Sequence, residues 1–192
     1  MTATHVAPIT QRRRWRAFVA DRKGATAVEF ALIGAPFLAL LVAIIQSFLV
    51  FFAQQYLETA VNQSSRTILT GQEQALAQNL TQAQAQAQFA SAVCSNLVIL
   101  FDCSKLMIDV QVAGSWSSAN TGVPTLTFDS NGNVTNTWQF NPGKQSDIVV
   151  VRVMYQWPVF MGPLGFNLSN LANGNRLIMA STAFMNEAYI NS

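Results

Sequence analysis

The chain has 192 residues, enough for one ordinary domain with an appendage. Hydrophobic residues make up 51% and charged ones only 10%, which is apolar for a soluble protein, and the net charge of +2 conceals a separation. Residues 1–24 hold six cations, Arg12, Arg13, Arg14, Arg16, Arg22 and Lys23, against Asp21 alone, whereas the remainder holds five cations against eight acids. A nucleic-acid surface would spread its cations over a folded face beside base-reading side chains. Here they crowd a short tail abutting an apolar run, the arrangement that keeps an N-terminus in the cytoplasm while a helix inserts. A membrane is therefore the expected partner and nucleic acid is not.

The apolar run from Phe30 to Ala53 contains no charge and only Gln46 and Ser47 as polar side chains. As a helix rising about 1.5 Å per residue it covers roughly 36 Å, more than the ~30 Å of hydrocarbon it must cross. Pro36 costs a backbone hydrogen bond that a kink or a neighbouring helix accommodates. The run is too long for the core of a secretory signal peptide. Arg12-Arg13 hints at a twin-arginine address, but Arg16 and the stretch Asp21-Arg22-Lys23 interrupt the apolar continuation. No later segment has spanning length, since the run at 149–166 is broken by Arg152, Pro158 and Pro163. The chain is expected to cross once, with its body on the far side from the arginines.

One carboxylate, Glu29, stands at the start of this run. An ionised acid at the centre of a bilayer costs about 2.5–3.5 kcal/mol, and less at its edge. Glu29 is either solvated at headgroup level or compensated by a cation. If the chain were cut between Gly24 and Ala25, the new ammonium and Glu29 would lie at i and i+4 on one helix face. The amine of an incoming chain could then neutralise the Glu29 of its neighbour and fix their axial offset, because a buried pair relieves both partners of an uncompensated charge.

Gly24, then ATAV, then Glu29-Phe30, resembles the class III prepilin cleavage site, with Arg22 and Lys23 as its basic flank. More fully, GATAVEFALIGAPFLALLVAIIQ is similar to the N-terminal segment of TadE-like pseudopilins of tight-adherence (Flp) pili, and LIMASTAFMNEAY resembles that family's closing strand. The resemblance implies that an aspartic intramembrane prepilin peptidase removes residues 1–24. It also implies that the mature helix joins other pilin or pseudopilin subunits and an inner-membrane pilus assembly platform. The large body beyond the helix favours a minor subunit over a major pilin.

Past Ala53 the helix is expected to continue through QQYLETAVNQSSRTILT, on a stripe including Tyr56, Leu57, Ala60, Val61, Gln63, Thr67 and Ile68, and to end at Gly71. EQALAQNLTQAQAQAQFASAV reads as one further helix, with Leu76, Leu80, Ala83, Ala87 and Ala90 recurring at helical spacing; a disordered Gln-rich tract is the alternative. After Cys103 the period shortens. Leu106, Ile108, Val110 and Val112 alternate as a half-buried strand, as do Val149, Val151, Val153, Tyr155 and Trp157, with Arg152 and Gln156 facing outward. LTFDSNGNVTNTWQF reads as a hairpin about Asn131-Gly132 with strands near 124–128 and 134–140, and the segment from Arg176 as a last strand. The fold class is α+β: a long pilin-like N-terminal membrane-spanning helix, a further helix, then a small antiparallel β-sheet.

Cys94 and Cys103 are the only cysteines. Free thiols or part of a metal site are alternatives, but no histidine or second cysteine pair exists in the body to complete zinc ligation. In an exported body a disulfide between them is favoured. The one histidine, His5, lies in the leader, so a Ser/His or Cys/His pair is denied to the processed chain. A carboxylate-only hydrolase remains formally open. Asp102, Asp109, Asp129, Asp147 and Glu187, however, carry no signature and read as solvated charge. Trp116, Trp138, Trp157 and Phe140 read as core, or alternatively as a binding surface for sugars or another subunit.

The expected organisation is a basic cytoplasmic leader over 1–24, a transmembrane helix over 25–53 and an exported helix-plus-sheet domain over 54–192. No enzymatic activity and no cofactor are expected. The expected role is that of a minor pseudopilin needed for a Tad/Flp pilus and hence for adhesion, placed in the bacterial inner membrane with its C-terminal domain in the periplasm. The alternative is an uncleaved single-pass envelope protein whose periplasmic domain binds polysaccharide or peptidoglycan.

Overall fold

A computed structural model of the chain describes residues 24–77, 79–97, 100–160 and 165–188. The basic cluster of the leader, Arg12 to Lys23, lies outside the described residues, as does Tyr189. The order of elements is α1 (Ala25–Leu69), α2 (Gln72–Ala77), α3 (Gln82–Ser95), β1 (Met107–Ala113), β2 (Ile148–Trp157) and β3 (Arg176–Met185), with 3-10 turns at Cys103–Lys105 and Trp116–Ser118. This is the expected α+β architecture.

α1 is a single helix of 45 residues, with Pro36 inside it. Its two halves differ in what they touch. Val28, Phe30, Leu32, Ile33, Phe37 and Leu38 are among the large apolar side chains left exposed along the first half. In the second half Ala53, Leu57, Ala60, Val61, Ser64 and Ile68 are buried, at the 3.6-residue spacing of one face. Gln63, placed on the buried stripe by the sequence reading, is exposed. The helix ends as expected: Gly71 adopts φ 79°, and its N–H donates to the Ile68 carbonyl at 3.1 Å.

The Ala/Gln segment is helical but divides in two. Thr81 caps α3, its hydroxyl accepting from the Gln84 N–H while the Gln84 side chain accepts from the Thr81 N–H. That reciprocal cap, worth about 1 kcal/mol, restarts the helix and resets its phase. Ala85, Phe89 and Val93 are buried in consequence, while Leu76, Ala83 and Ala87 point outward. The signal was present in the sequence as Thr81-x-x-Gln84.

The sheet is antiparallel in the order β1-β2-β3, with Val110 opposite Val151 and Val151 opposite Thr182. One face, carrying Ile108, Val110, Val149, Val151, Val153, Tyr155, Ile178 and Ala180, packs on α1 and α3 as the main core. The opposite face was expected to be wet and is not. Residues 114–147, the long connection from β1 to β2, return over it, and Leu126, Val134 and Trp138 pack on Met107, Met154 and Leu177.

Two expectations are corrected by that cover. Arg152 does not face solvent: it is 8% exposed and pairs with Asp109, its cross-strand neighbour, which is 2% exposed. The hairpin about Asn131-Gly132 forms its turn and one bridge, Phe128 to Val134, but not two ladder strands. Asn136 explains why: its Oδ1 accepts from the Thr127 N–H at 2.7 Å and its Nδ2 donates to the Thr125 carbonyl at 2.9 Å, so a side chain takes bonds that a ladder would have used.

Candidate functional site

The candidate site is the first half of α1, the candidate membrane span. Gly24 precedes the first helical residue, Ala25, and Glu29 stands one turn inside. Residues 24–33 are exposed throughout, Phe30 at 78%. Gly24 has φ −94°, ψ −5°, a conformation open to any L-residue, and a methyl group built on it would meet nothing within 4 Å. Among the described residues, neither backbone strain nor crowding requires a glycine there.

From Phe30 to Ile45 the helix lines no cleft with the body for 16 residues, about 24 Å at the helical rise, most of the ~30 Å hydrocarbon thickness of a bilayer. The body makes contact immediately beyond. Val50 is buried, and Gln46, Leu49 and Val50 share a small apolar cleft of about 90 Å³ with Trp157, Pro158, Val159, Phe160 and Leu168. Phe160 is 75% exposed beside this cleft. Aromatic side chains at this level match the belt that forms where a span leaves the membrane. Ser47, the other polar group of the run, donates its hydroxyl proton to the Ala43 carbonyl at 2.9 Å and so enters apolar surroundings satisfied.

The second half of α1 fastens the body to the span. Gln54 Nε2 donates to the Met179 carbonyl at 2.8 Å and to Glu58 Oε1 at 2.7 Å, tying α1 to β3. At the far end the Glu187 N–H donates to the Leu69 carbonyl at 3.0 Å, closing one of the orphan carbonyls of the helix terminus. Gln74 Nε2 reaches both the Ile68 and the Pro142 carbonyls, and Asn186 Nδ2 those of Pro142 and Lys144, so the closing segment of β3 locks the distal corner. Glu187 thus matters through its backbone, which residue type does not reveal.

Cys94 and Cys103 are joined in a disulfide with Cα atoms 5.9 Å apart. The bond ties the last turn of α3 to the 3-10 turn that leads into β1, and it contributes about 2–4 kcal/mol to stability. Beside it Asp102 accepts from the Ser104 hydroxyl and N–H, which hold its carboxyl below the ordinary range. Asp129 is lowered likewise by the side chain and N–H of Asn133. In the other direction, burial pushes the Glu73 carboxyl up, partly offset by a hydrogen bond from the Thr67 hydroxyl at 3.1 Å.

The aromatic residues singled out in the sequence do not share a surface. Phe140 is buried against Phe89, Trp157 joins Phe101 and Tyr155 in an edge-to-face cluster, and Trp116 stands alone and exposed. Trp138 lines a groove on the outer face of the sheet.

No curated protein and no solved structure matches the chain. Residues 24–66 match the family model described as TadE-like protein, a match that opens at Gly24 and runs along α1 through the exposed half and most of the packed half. The long helix, apolar on all sides where free and one-faced where packed, is the part of the chain that is similar to TadE-like proteins, and it is a candidate single membrane span near the N-terminus.

Proposed function

We propose that the protein is a minor pseudopilin, cut between Gly24 and Ala25 by a prepilin peptidase and built into a Tad pilus or its base through packing of α1 against the helices of other subunits and the inner-membrane assembly platform. It acts as a structural subunit, not as an enzyme. The observation that carries this reading is Gly24 itself. Nothing among the described residues crowds Gly24, and a protease needing an unobstructed scissile carbonyl gives a reason for glycine there. Removal of the leader exposes an ammonium at the first residue of α1, one turn from Glu29. Between adjacent subunits that pair sets one axial offset and penalises the rest.

The reading places the leader in the cytoplasm and the body in the periplasm, following the positive charge of residues 12–23. It predicts processing. Co-expressed with an active prepilin peptidase, the chain should lose its 24 leader residues and begin at Ala25 by N-terminal sequencing, and Gly24→Val should block the cut. A chain that keeps its original N-terminus beside a peptidase that trims a control pilin would refute this reading.

A further inference from the structure

The outer face of the sheet carries a groove of about 620 Å³ at the end where β1 begins and β2 finishes. That volume falls in the range of small-ligand sites. Its polar lining is unusual in kind: five carboxamides, Asn131, Asn133, Gln156, Asn173 and Asn175, converge on it from the 129–133 turn, β2 and the approach to β3. Lys105 is the only charged side chain among the described residues of the lining, and its ammonium lies 3.3 Å from the Asp102 carboxylate. Trp138, half-buried, supplies an indole.

The amides are held in place before any ligand arrives. Asn173 Nδ2 donates to the Gly132 carbonyl at 2.9 Å and to Gln156 Oε1 at 2.7 Å, and Asn175 Nδ2 donates to the same oxygen at 3.3 Å. Gly132 has φ +80°, and a Cβ there would lie 3.2 Å from Asn173 Cβ, so the turn approaches closely only because it is glycine. Asn133 is fixed by Asp129, which accepts from its N–H at 2.8 Å and its Nδ2 at 3.0 Å. Asn173 is engaged on both sides, its Oδ1 accepting from the Asn175 N–H at 3.2 Å, while Gln156, Asn175 and Asn133 use one side of the amide each. Gln156 Nε2, Asn175 Oδ1 and Asn133 Oδ1 have no partner among the described residues, which leaves donors and acceptors side by side.

We propose that this groove binds uncharged saccharide. A sugar hydroxyl both donates and accepts, so it suits mixed amide edges, and the C–H face of a pyranose suits an indole. A phosphate or polyanion would require cations that the lining does not supply. Pro158 lines both this groove and the cleft at the membrane edge, so the sugar can belong to a free polysaccharide or to a glycolipid headgroup. The proposal is independent of leader cleavage and stands or falls separately from it.

The test is titration of the full-length chain in phosphatidylcholine nanodiscs with chitotetraose and maltotetraose, followed by tryptophan fluorescence and by side-chain amide NMR resonances. A parallel arm uses nanodiscs containing a monoglucosyl diacylglycerol. A saturable response to a soluble oligosaccharide identifies the source as free glycan, and one confined to the glycolipid arm identifies it as a headgroup. In either case Gln156→Ala and Asn175→Ala should each weaken binding about fivefold to tenfold, the value of one or two hydrogen bonds, with unchanged circular dichroism. No saturable response in any arm, or binding that both substitutions leave intact, would overturn the proposal.

Discussion

The Asp109–Arg152 pair offers the most direct measurement of how the outer face is held. Asp109 accepts from Arg152 Nε at 3.1 Å and also from Arg152 Nη2, from the Gln139 N–H at 3.1 Å and from Gln111 Nε2 at 2.9 Å. Gln139 belongs to the segment lying over the sheet, so one carboxylate joins β1, β2 and the covering chain. Arg152→Met removes the cation and leaves the carboxylate among dipoles only, in a site with almost no water. Removing one partner of a buried pair costs about 3–5 kcal/mol, a large part of the 5–15 kcal/mol typical of a whole domain. Asp109→Leu combined with Arg152→Met should recover most of that loss, since exchange of a buried pair for apolar groups is often neutral. Urea unfolding of the detergent-solubilised chain, followed by tryptophan fluorescence, gives the midpoints. A loss below about 1 kcal/mol for Arg152→Met, the value of an exposed pair, or a double variant no more stable than the single one, would refute the reasoning.

Glu29→Leu should insert into membranes at least as well as the parent and yet fail to enter assemblies, as read by membrane fractionation and co-purification with other pilus subunits; normal assembly would return Glu29 to simple solvation at headgroup level. Replacing Cys94 and Cys103 together by serine should cost about 2–4 kcal/mol in the same unfolding assay, with the parent falling to the variant's stability under reducing conditions. Burial raises the Glu73 carboxyl above its ordinary value, so the folded chain retains a proton that the unfolded chain releases. Its contribution is therefore present at low pH and is lost as pH rises from the ordinary carboxylate value through the raised one. Glu73→Gln should flatten that slope without altering the acid-side loss from Asp102 and Asp129, whose shifts run the other way.

Where a residue's role depended on its own neighbours in sequence, the sequence disclosed it. The span, the end of α1 at Gly71, the alternation in β2 and the pairing of the two cysteines all follow from local period, composition or a simple count. Arg152 shows where that stops. Alternation assigned it correctly to the face opposite Val151 and Val153, but which face is wet depends on a connection whose path over the sheet has no periodic signature. Asp109 went unrecognised for the same reason: a lone acid in a strand declares itself buried only once its partner is known to lie across the ladder. The groove is likewise built from three separate segments whose amides look like ordinary turn chemistry in the linear chain. Its one local clue, Asn131-Gly132, was read as a strand-joining turn, whereas its glycine serves the close contact with Asn173.

The joint between span and body decides how the two halves of the molecule are coupled. In many single-pass proteins a flexible linker separates the anchor from the domain, and the domain's orientation is then free. Here no linker exists: the helix that leaves the bilayer near Leu49 is the same helix whose Ala53, Leu57, Ala60, Val61 and Ile68 form one wall of the core. Separating helix from sheet would expose that apolar wall along with the bonds from Gln54 to Met179 and from Glu187 to Leu69, so rotation or axial displacement of α1 carries the sheet with it. On the proposed pairing, a register chosen at Glu29 would set the height and azimuth of the body, and of the groove beside the membrane edge, by rigid-body geometry alone. If the proposed assembly holds, the exposed apolar half and the packed half are one device, the first choosing neighbours and the second fixing which way the body faces when they are chosen.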